Sequence, residues 1–283
     1  MEGEITGKGA EMERKLYEKG YEMLDSAGQG AFSRVYRVRK RDTGGFFACK
    51  VSGKKEMLAA EAKLLGQVSH PLFPRFCDHW QEQERAFLIM EYLPGMSLKH
   101  LVEKRGGLSP AQTARIGMSL AQGLLYLHER CKPVLYRDLN PGNVQILQDG
   151  RAKLLDLGCA CALGENRDRA GTPGFAPPEQ LTGESLSAAG DIYAFGKMLE
   201  YMLQSGSLSG KKSGRCGERK CRKTLEALLA ECTRRDPEKR PGDMRFCLDM
   251  LWECLEEEKR GRLLWGWKEK TGYRAAKAVW KKS

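Results

Sequence analysis

The pattern of apolar and polar positions between Tyr21 and Leu93 is mostly that of β-strands. Two strands flank a glycine-containing turn in YEMLDSAGQGAFSRVYRVRK, and the short runs FFACKV and FLIMEYL indicate further strands. One helix interrupts this region in KKEMLAAEAKLLGQV, where Leu58, Ala62 and Leu65 fall on one face. The region is therefore predicted to form a small, strand-rich lobe.

After LPG at residues 93–95 the pattern changes to that of helices. Ser109, Pro110 and Gln112 form a helix start signal, with a capping side chain, a proline in the first turn and a glutamine three residues after the cap. The helix that follows carries an apolar stripe formed by Ile116, Leu120, Leu124 and Leu127. Further helices are predicted over 188–203, 224–233 and 243–258, with a Gly/Ser-rich basic loop over 205–223.

These patterns indicate an α+β fold with two lobes and a hinge near Glu91–Gly95. Residues 1–20 are polar, with charges of both signs, and are predicted to form an extension or a frayed helix. The predicted segments are an N-terminal extension over 1–20, a small lobe over 21–93, a large lobe over 94–260, and a basic aromatic tail over 261–283.

Composition is that of a folded chain with a sizeable core, since 41% of the 283 residues are hydrophobic and 30% are charged. There is no apolar run of membrane-spanning length, and the start MEGEITGKGAEMERKLYEKG has no apolar core of the signal-peptide kind. We therefore expect a cytoplasmic protein without a transmembrane segment. The net charge of +11 favours acidic partners or an anionic surface, and no nucleic acid is expected.

The ten cysteines are scattered rather than packed into a short framework, which favours free thiols over disulfides. Cys216 and Cys221 have no second Cys/His pair at zinc-site spacing, so no zinc site is expected there.

The stretch VLYRDLNPGNVQIL, from Val134 to Leu147, concentrates candidate chemistry. Asn143 precedes one predicted strand and Asp156 ends the next, with an Asp-Gly hairpin turn between them. Folding that hairpin brings a carboxylate and an amide oxygen to the same end, and such ligands suit Mg²⁺. Asp138 lies in the same loop, where it can reach a nucleophile beside the metal.

A second group of candidates lies in the small lobe. GQGAFSRV places glycines between two strands, where backbone N–H groups can approach phosphates, although Ser33 stands where the third glycine of G-x-G-x-x-G is expected. In FFACKV the period of two puts Ala48 and Lys50 on one face, one to line a pocket and one to reach phosphates. Glu61 on the following helix could pair with Lys50, and Glu56 is a rival partner.

In their order along the chain, these pieces resemble the eukaryotic-type (Hanks-type) protein kinase family over about residues 21–260, and look most like bacterial serine/threonine kinases. The matching pieces are GQGAFSRV, ACK, Glu61, MEYLPG, YRDLNPGN, DLG, GTPGFAPPE, DIYAFG and DPEKRP. The resemblance implies a bilobal kinase-like fold with an ATP cleft between the lobes. It also implies transfer of the γ-phosphate of ATP to serine or threonine hydroxyls of protein substrates, with Mg²⁺ or Mn²⁺.

The resemblance further implies roles for individual residues. Lys50 would bind the α- and β-phosphates and pair with Glu61, Asp138 would accept the proton of the substrate hydroxyl, and Asn143 and Asp156 would hold the metal. The remaining nucleotide-binding residues implied are Gly28, Gly30, Ser33, Val35, Ala48, Met90, Glu91 and Leu93, the last three at the adenine pocket. Glu179 and Arg240 would form a buried ion pair, and Asp191 would support the catalytic loop.

Four positions depart from the family pattern. Tyr136 replaces the usual His, Leu157 replaces Phe in D-F-G, and Pro177 replaces Ala in A-P-E. Asn140 replaces the Lys that steadies the transferring phosphate, so a low turnover is expected at an otherwise complete site. Asn140 therefore joins Asp138 and Lys50 among the candidate catalytic residues.

The segment CACALGENRDRAG, 159–171, contains no Ser, Thr or Tyr, so activity is predicted not to depend on phosphorylation there. Glu165 or Asp168 is the predicted fixed anion for Arg137. Thr172 is predicted to contact Asp138. Cys159 is either open to electrophiles near the nucleotide or an inert small side chain.

Three functions stay open. The chain is predicted to be a serine/threonine kinase, with a pseudokinase scaffold that binds nucleotide as the main alternative and a small-molecule phosphotransferase as a lesser one.

The tail, 261–283, mixes aromatic and basic residues. This composition fits binding to an anionic membrane surface at the inner face, binding to an acidic partner, or a helix packed on the large lobe.

Overall fold

The computed structural model describes residues 2–30, 32–165, 171–183, 186–204 and 216–270. The chain divides into two compact units. The first unit is Met1–Gly95 together with Lys153–Gly158, and the second is Met96–Ala152 together with Cys159–Ser283.

The first unit consists of an antiparallel five-stranded sheet and two helices, one before the sheet and one between its third and fourth strands in sequence. Its elements are α1 (Glu2–Glu18), β1 (Tyr21–Gln29), β2 (Ser33–Lys40), β3 (Phe46–Ser52), α2 (Lys55–Gln67), β4 (Phe76–Gln81) and β5 (Ala86–Glu91). The strand order is β1-β2-β3-β5-β4. In this register Lys50 on β3 lies opposite Val35 on β2 and Leu88 on β5, so the central strand carries the candidate lysine.

Helix α1 contributes to the core of the first unit. Met12 and Leu16 are buried in a cluster with Tyr21, Val38, Cys49, Val51, Phe87 and Ile89. Because side chains alternate along a strand, Cys49 and Val51 face this cluster while Lys50 points to the opposite face of β3. The polar start of the chain, for which we expected an extension or a frayed helix, is therefore a helix whose two apolar positions complete the core.

Helices dominate the second part of the chain. Its elements are β6 (Gly95–Ser97), α3 (Leu98–Arg105), α4 (Pro110–His128), β7 (Val134–Leu135), β8 (Val144–Leu147), β9 (Ala152–Leu154), β10 (Cys161–Ala162), α5 (Pro178–Thr182), α6 (Ala188–Gln204), α7 (Cys216–Cys232) and α8 (Met244–Lys270).

Helix α4 begins at the predicted signal. Ser109 Oγ accepts from the Gln112 N–H at 3.3 Å, and Gln112 Oε1 accepts from the Ser109 N–H at 3.1 Å, which is a complete capping box. The predicted stripe is buried in full, as Ile116, Leu120, Leu124 and Leu127 all lie in the core. The sequence prediction for this helix is confirmed.

Helix α7 corrects one prediction. The basic loop predicted over 205–223 is wrong for 216–223, which is helical, while 205–215 lies outside the described residues. The helix forms because Cys221, Leu225, Leu228 and Cys232 recur at helical spacing and are all buried, a stripe hidden among lysines and arginines.

Two pairs of cysteines meet where α7 packs against α8, and one of the pairs is a disulfide. Cys221 and Cys254 form a disulfide, so the expectation of free thiols is wrong for this pair. Cys232 and Cys247 are buried free thiols whose sulfurs lie 3.7 Å apart. The pairing was not foreseen because the partners are 33 residues apart for the disulfide and meet only once the two helices pack.

Among the helices of the described residues, none combines the length and the apolar character that crossing a membrane requires.

Candidate active site

Lys50 is the centre of a charged cluster inside the first unit. Its Nζ donates to Glu61 Oε1 at 2.9 Å and Oε2 at 2.8 Å, and to Asp156 Oδ2 at 2.7 Å. Lys50 and Glu61 are buried, whereas the Asp156 side chain is 38% exposed. Glu61 rather than the exposed Glu56 is thus the partner of Lys50, and Asp156 is a second partner that the sequence did not indicate.

The charges of this cluster are set by burial and by Lys50. Burial raises the pKa of Glu61 to about 7, and Lys50 offsets only part of that rise. At Asp156 burial acts in the same direction, but Lys50 and the Gly158 N–H, 2.7 Å from Oδ1, outweigh it and lower the pKa. As the pH falls, Glu61 is therefore the first of the two carboxylates to take up a proton.

Gly158 is required where it stands. A Cβ added there would lie 2.9 Å from Asp156 Oδ1, closer than real Cβ contacts. The glycine of DLG thus allows its own N–H to hold the carboxylate of Asp156.

The glycine turn between β1 and β2 lies in the same unit. Gly28 pairs with Val35, and the Gly30 N–H donates to the Ser33 carbonyl at 2.8 Å. Ser33 begins β2, and a Cβ on Gly30 would approach its Oγ to 3.2 Å. Ala48 is buried on β3. Gly28 therefore lies on β1, Ser33 on β2 and Ala48 on the same strand as Lys50, while Gly30 lies in the turn between β1 and β2.

Two of the predicted adenine-binding residues, Met90 and Glu91, end β5, and the third, Leu93, follows it. Met90 and Leu93 are buried. The Glu91 N–H donates to the Arg75 carbonyl at 2.9 Å, and Glu91 Oε2 accepts from Lys153 Nζ at 3.3 Å. The backbone N–H and the side chain of Glu91 are therefore both engaged within the first unit.

In the second unit, Asp138 is held by neighbours on both carboxylate oxygens. Thr172 Oγ1 donates to Oδ1 at 2.7 Å, as predicted, and Asn143 Nδ2 donates to Oδ2 at 3.0 Å. Asn140 serves the loop itself, because its Oδ1 accepts from the N–H groups of Gly142 (2.9 Å) and Asn143 (3.3 Å) and its Nδ2 donates to the Asp138 carbonyl at 3.1 Å. The Asn140 amide thus caps the 3₁₀ turn Pro141–Asn143.

Asp191, in the first turn of α6, holds the backbone of the same loop. Its carboxylate accepts from the N–H groups of Tyr136 and Arg137, each at 2.8 Å. It also contacts His128 Nε2 at 2.8 Å. The sequence did not indicate a role for His128, whose only signal is that it ends a strongly periodic helix.

Glu179 and Arg240 form the expected buried ion pair. Arg240 Nη1 and Nη2 lie 2.5 Å and 2.9 Å from the two Glu179 oxygens. The guanidinium also donates to the carbonyls of Ala189 (2.9 Å) and Arg234 (2.8 Å), and it lies 4.9 Å from the centre of the Tyr193 ring. The pair is desolvated but well bonded, the condition under which a buried ion pair is tolerated.

Arg137 is buried beside Asp138, and its Nη1 donates to the Cys159 carbonyl at 3.3 Å and to Cys161 Sγ at 3.9 Å. Of the two anions predicted for it, Glu165 is exposed and Asp168 lies outside the described residues, so a fixed anion for Arg137 stays a prediction. The Cys159 side chain is half-buried. The predicted tail begins within α8, whose helix continues to Lys270, and residues 271–283 lie outside the described part of the chain.

The candidate metal ligands differ in unit, with Asp156 in the first and Asn143 in the second. Because Asn143 Nδ2 donates to Asp138, the amide oxygen is the atom that remains for a cation. A carboxylate oxygen and an amide oxygen are each of the ligand type that a hard divalent cation prefers. Within the described residues, no group of three or more His, Cys, Asp or Glu side chains forms a metal site.

Comparison with known proteins gives a family match and several relatives. Residues 21–266 match the protein kinase domain family. Protein kinase 3 of Dictyostelium discoideum is 32% identical over 225 residues, which cover 72% of this chain and 24% of that protein. The RAC family serine/threonine-protein kinase homolog of the same organism is 29% identical over 210 residues, covering 70% of this chain and 47% of that protein.

A bacterial relative is similar to the same degree. Serine/threonine-protein kinase pkn2 of Myxococcus xanthus is 31% identical over 207 residues, covering 66% of this chain and 24% of that protein. The chain thus spans about a quarter to a half of the length of these relatives. With residues 21–266 matched by the family, this chain belongs to the protein kinase domain family.

Proposed function

We propose that the protein is an ATP-dependent kinase that transfers the γ-phosphate to serine or threonine hydroxyls of protein substrates. The observation that carries the proposal is the contact of the Thr172 hydroxyl with Asp138 Oδ1 at 2.7 Å. A carboxylate held in this way, with Asn143 fixing its second oxygen, is suited to orient a hydroxyl and accept its proton.

The other roles follow from the charges around each group. Lys50, fixed by Glu61, would bind the α- and β-phosphates of ATP, and its contact with Asp156 would give way to the nucleotide. Asp156 and Asn143 would hold Mg²⁺, with Mn²⁺ as a substitute. The metal would neutralise charge on the phosphates. Glycines and small residues of β1–β3, with Met90, Glu91 and Leu93, would enclose the nucleotide.

The contacts of the Asn140 side chain support the proposal that turnover is slow. Its side chain is engaged by three contacts with the loop backbone, so it adds no positive charge at the transferring phosphate. The same observation favours the second candidate, a nucleotide-binding scaffold without efficient transfer.

Activity is further proposed to be independent of phosphorylation within 159–171. Support comes from the absence of Ser, Thr and Tyr in that segment and from the contacts of Arg137 with Cys159 and Cys161. Intact-mass and peptide mapping of active enzyme tests this, and a required phosphate in the segment would contradict it.

The setting is proposed from the sequence. The motifs YRDLNPGNV, GTPGFAPPEQ and DIYAFGK support a bacterial protein, proposed to be cytoplasmic. The basic tail, 261–283, supports binding to an anionic membrane surface or an acidic partner. Co-sedimentation with anionic and with neutral liposomes, using the full chain and a chain that ends at residue 260, separates membrane binding from a tail that only packs.

Transfer of label from γ-labelled ATP in the presence of Mg²⁺ tests the central proposal. Incorporation into the protein or into a generic basic protein is expected, and it should be lost in Asp138→Asn and Lys50→Met and on addition of EDTA. Asp149→Asn, on the exposed turn between β8 and β9, is the matched control and should retain activity. ATP binding without transfer would instead support the scaffold.

A further inference from the structure

Arg137, the residue before Asp138, has an unusual backbone conformation. Arg137 has φ 70°, and it is the one non-glycine residue with positive φ in the described part of the chain. An L-residue in this region is strained and persists only where its surroundings hold it. The peptide group that follows carries Asp138, so its orientation decides where the candidate base points.

Side chains hold this strained residue from both ends. The Arg137 N–H donates to Asp191 Oδ1 at 2.8 Å, and the Arg137 carbonyl accepts from Gln180 Nε2 at 2.8 Å. Asp191 is the support that the sequence predicted, whereas Gln180 was not singled out at all. Since the Arg137 carbonyl belongs to the same peptide plane as the Asp138 N–H, Gln180 acts on the plane that leads directly into Asp138.

Gln180 also lies against the segment that carries Thr172. It is 3% exposed on α5, and a Cβ added at Gly171 would lie 2.5 Å from its Nε2. Gly171 has φ 123°, which only glycine adopts readily. The Gln180 amide is therefore fixed between the carbonyl before Asp138 and the residue before Thr172, whose hydroxyl contacts Asp138.

We propose that Gln180 is a positioning residue for Asp138. Its amide donor holds the 137–138 peptide plane in the orientation that presents the Asp138 carboxylate, and its body fixes Gly171 so that Thr172 meets that carboxylate. This inference rests on the proposed kinase function for its effect on turnover, but not for its effect on the loop.

Two variants separate the donor from the packing. Gln180→Glu keeps the size and replaces the amide donor with an oxygen that faces the Arg137 carbonyl. Gln180→Met keeps similar volume and has neither donor nor charge, which guards against misfolding caused by a buried carboxylate. In both, kcat is expected to fall about tenfold or more, while the KM for ATP changes less than about twofold, because the candidate ATP contacts of Lys50 and the glycine turn are made elsewhere.

The matched control is Gln112→Met. Gln112 also bonds a backbone N–H through its side chain in the same unit, but at the start of α4. Loss of that contact lowers stability without reaching the loop, so kcat is expected to stay within about twofold of the wild type. An equal fall of kcat in the control would overturn the proposal.

Amide hydrogen exchange of residues 136–143, followed by mass spectrometry, provides a readout that needs no activity. Faster exchange is expected in both Gln180 variants and not in Gln112→Met. Unchanged exchange in the loop, with or without a change in kcat, would refute the role of Gln180. If the wild type transfers no phosphate, the proposed function fails, and the exchange experiment still decides the positioning role.

Discussion

Truncating Leu16 to alanine tests whether α1 belongs to the folded core. Leu16 is 0% exposed and lies in the cluster that α1 shares with the sheet of the first unit. Leu16→Ala removes three carbons, worth about 2.4 kcal/mol at ~0.8 kcal/mol for each buried carbon. The cavity left behind raises the expected loss to about 3 kcal/mol of the free energy of unfolding.

Urea unfolding followed by circular dichroism measures this loss, and thermal unfolding gives a second value. A loss of about 3 kcal/mol corresponds to a fall in Tm of roughly 6–12 °C for a chain of this size. The matched control is Glu13→Ala on the exposed side of the same helix, for which a change within about 0.5 kcal/mol is expected.

The reasoning is refuted if Leu16→Ala and Glu13→Ala unfold at the same urea concentration. That result would mean that α1 is not packed on the sheet in solution. A large effect of both variants would also contradict the reasoning, because alanine is the best helix former and only Leu16→Ala empties a buried site.

Three further outcomes are expected. Arg240→Met should lower the free energy of unfolding by about 3–5 kcal/mol, because it leaves Glu179 buried without its partner. In urea unfolding, the double variant with Glu179→Met should recover part of this loss, and no recovery would contradict the pairing. Cys254→Ser should lower the free energy of unfolding by about 4 kcal/mol, because the disulfide to Cys221 is lost. A reductant should bring the wild type to the same free energy of unfolding as the variant. A difference between the two that survives reduction would exclude the disulfide as its cause. Asn140→Lys should lower kcat in steady-state assays, because the new charge is introduced by breaking the cap of the loop turn. Each hydrogen bond lost from that cap is worth about 0.5–1.5 kcal/mol. A higher kcat would show that a positive charge at this position matters more than the order of the loop.

Local signals predicted the elements that depend on local chemistry. The start of α4 was read from Ser109 and Gln112 because a capping box is made by residues three apart. The face of β3 that carries Lys50 followed from the alternation of a strand. Helix α7 was missed in its first half because its buried stripe lies among lysines and arginines, which read as a loop.

Contacts between residues far apart in sequence were predicted only where the family resemblance supplied them. Lys50 with Glu61 and Glu179 with Arg240 belong to this group. The contact of His128 with Asp191 and that of Gln180 with Arg137 span 63 and 43 residues, and neither side chain has a local signal. Such contacts exist only after the helices pack, so spacing along the chain does not reveal them.

The position of α1 has a consequence for where the domain begins. The match to the family starts at residue 21, immediately after this helix. A fragment cut at that boundary would expose to water the apolar surface around Cys49, Val51 and Phe87 that Met12 and Leu16 cover. Uncovered apolar patches of this kind promote association between molecules. The smallest fragment expected to keep this surface covered therefore begins upstream of Met12, outside the region that family similarity defines.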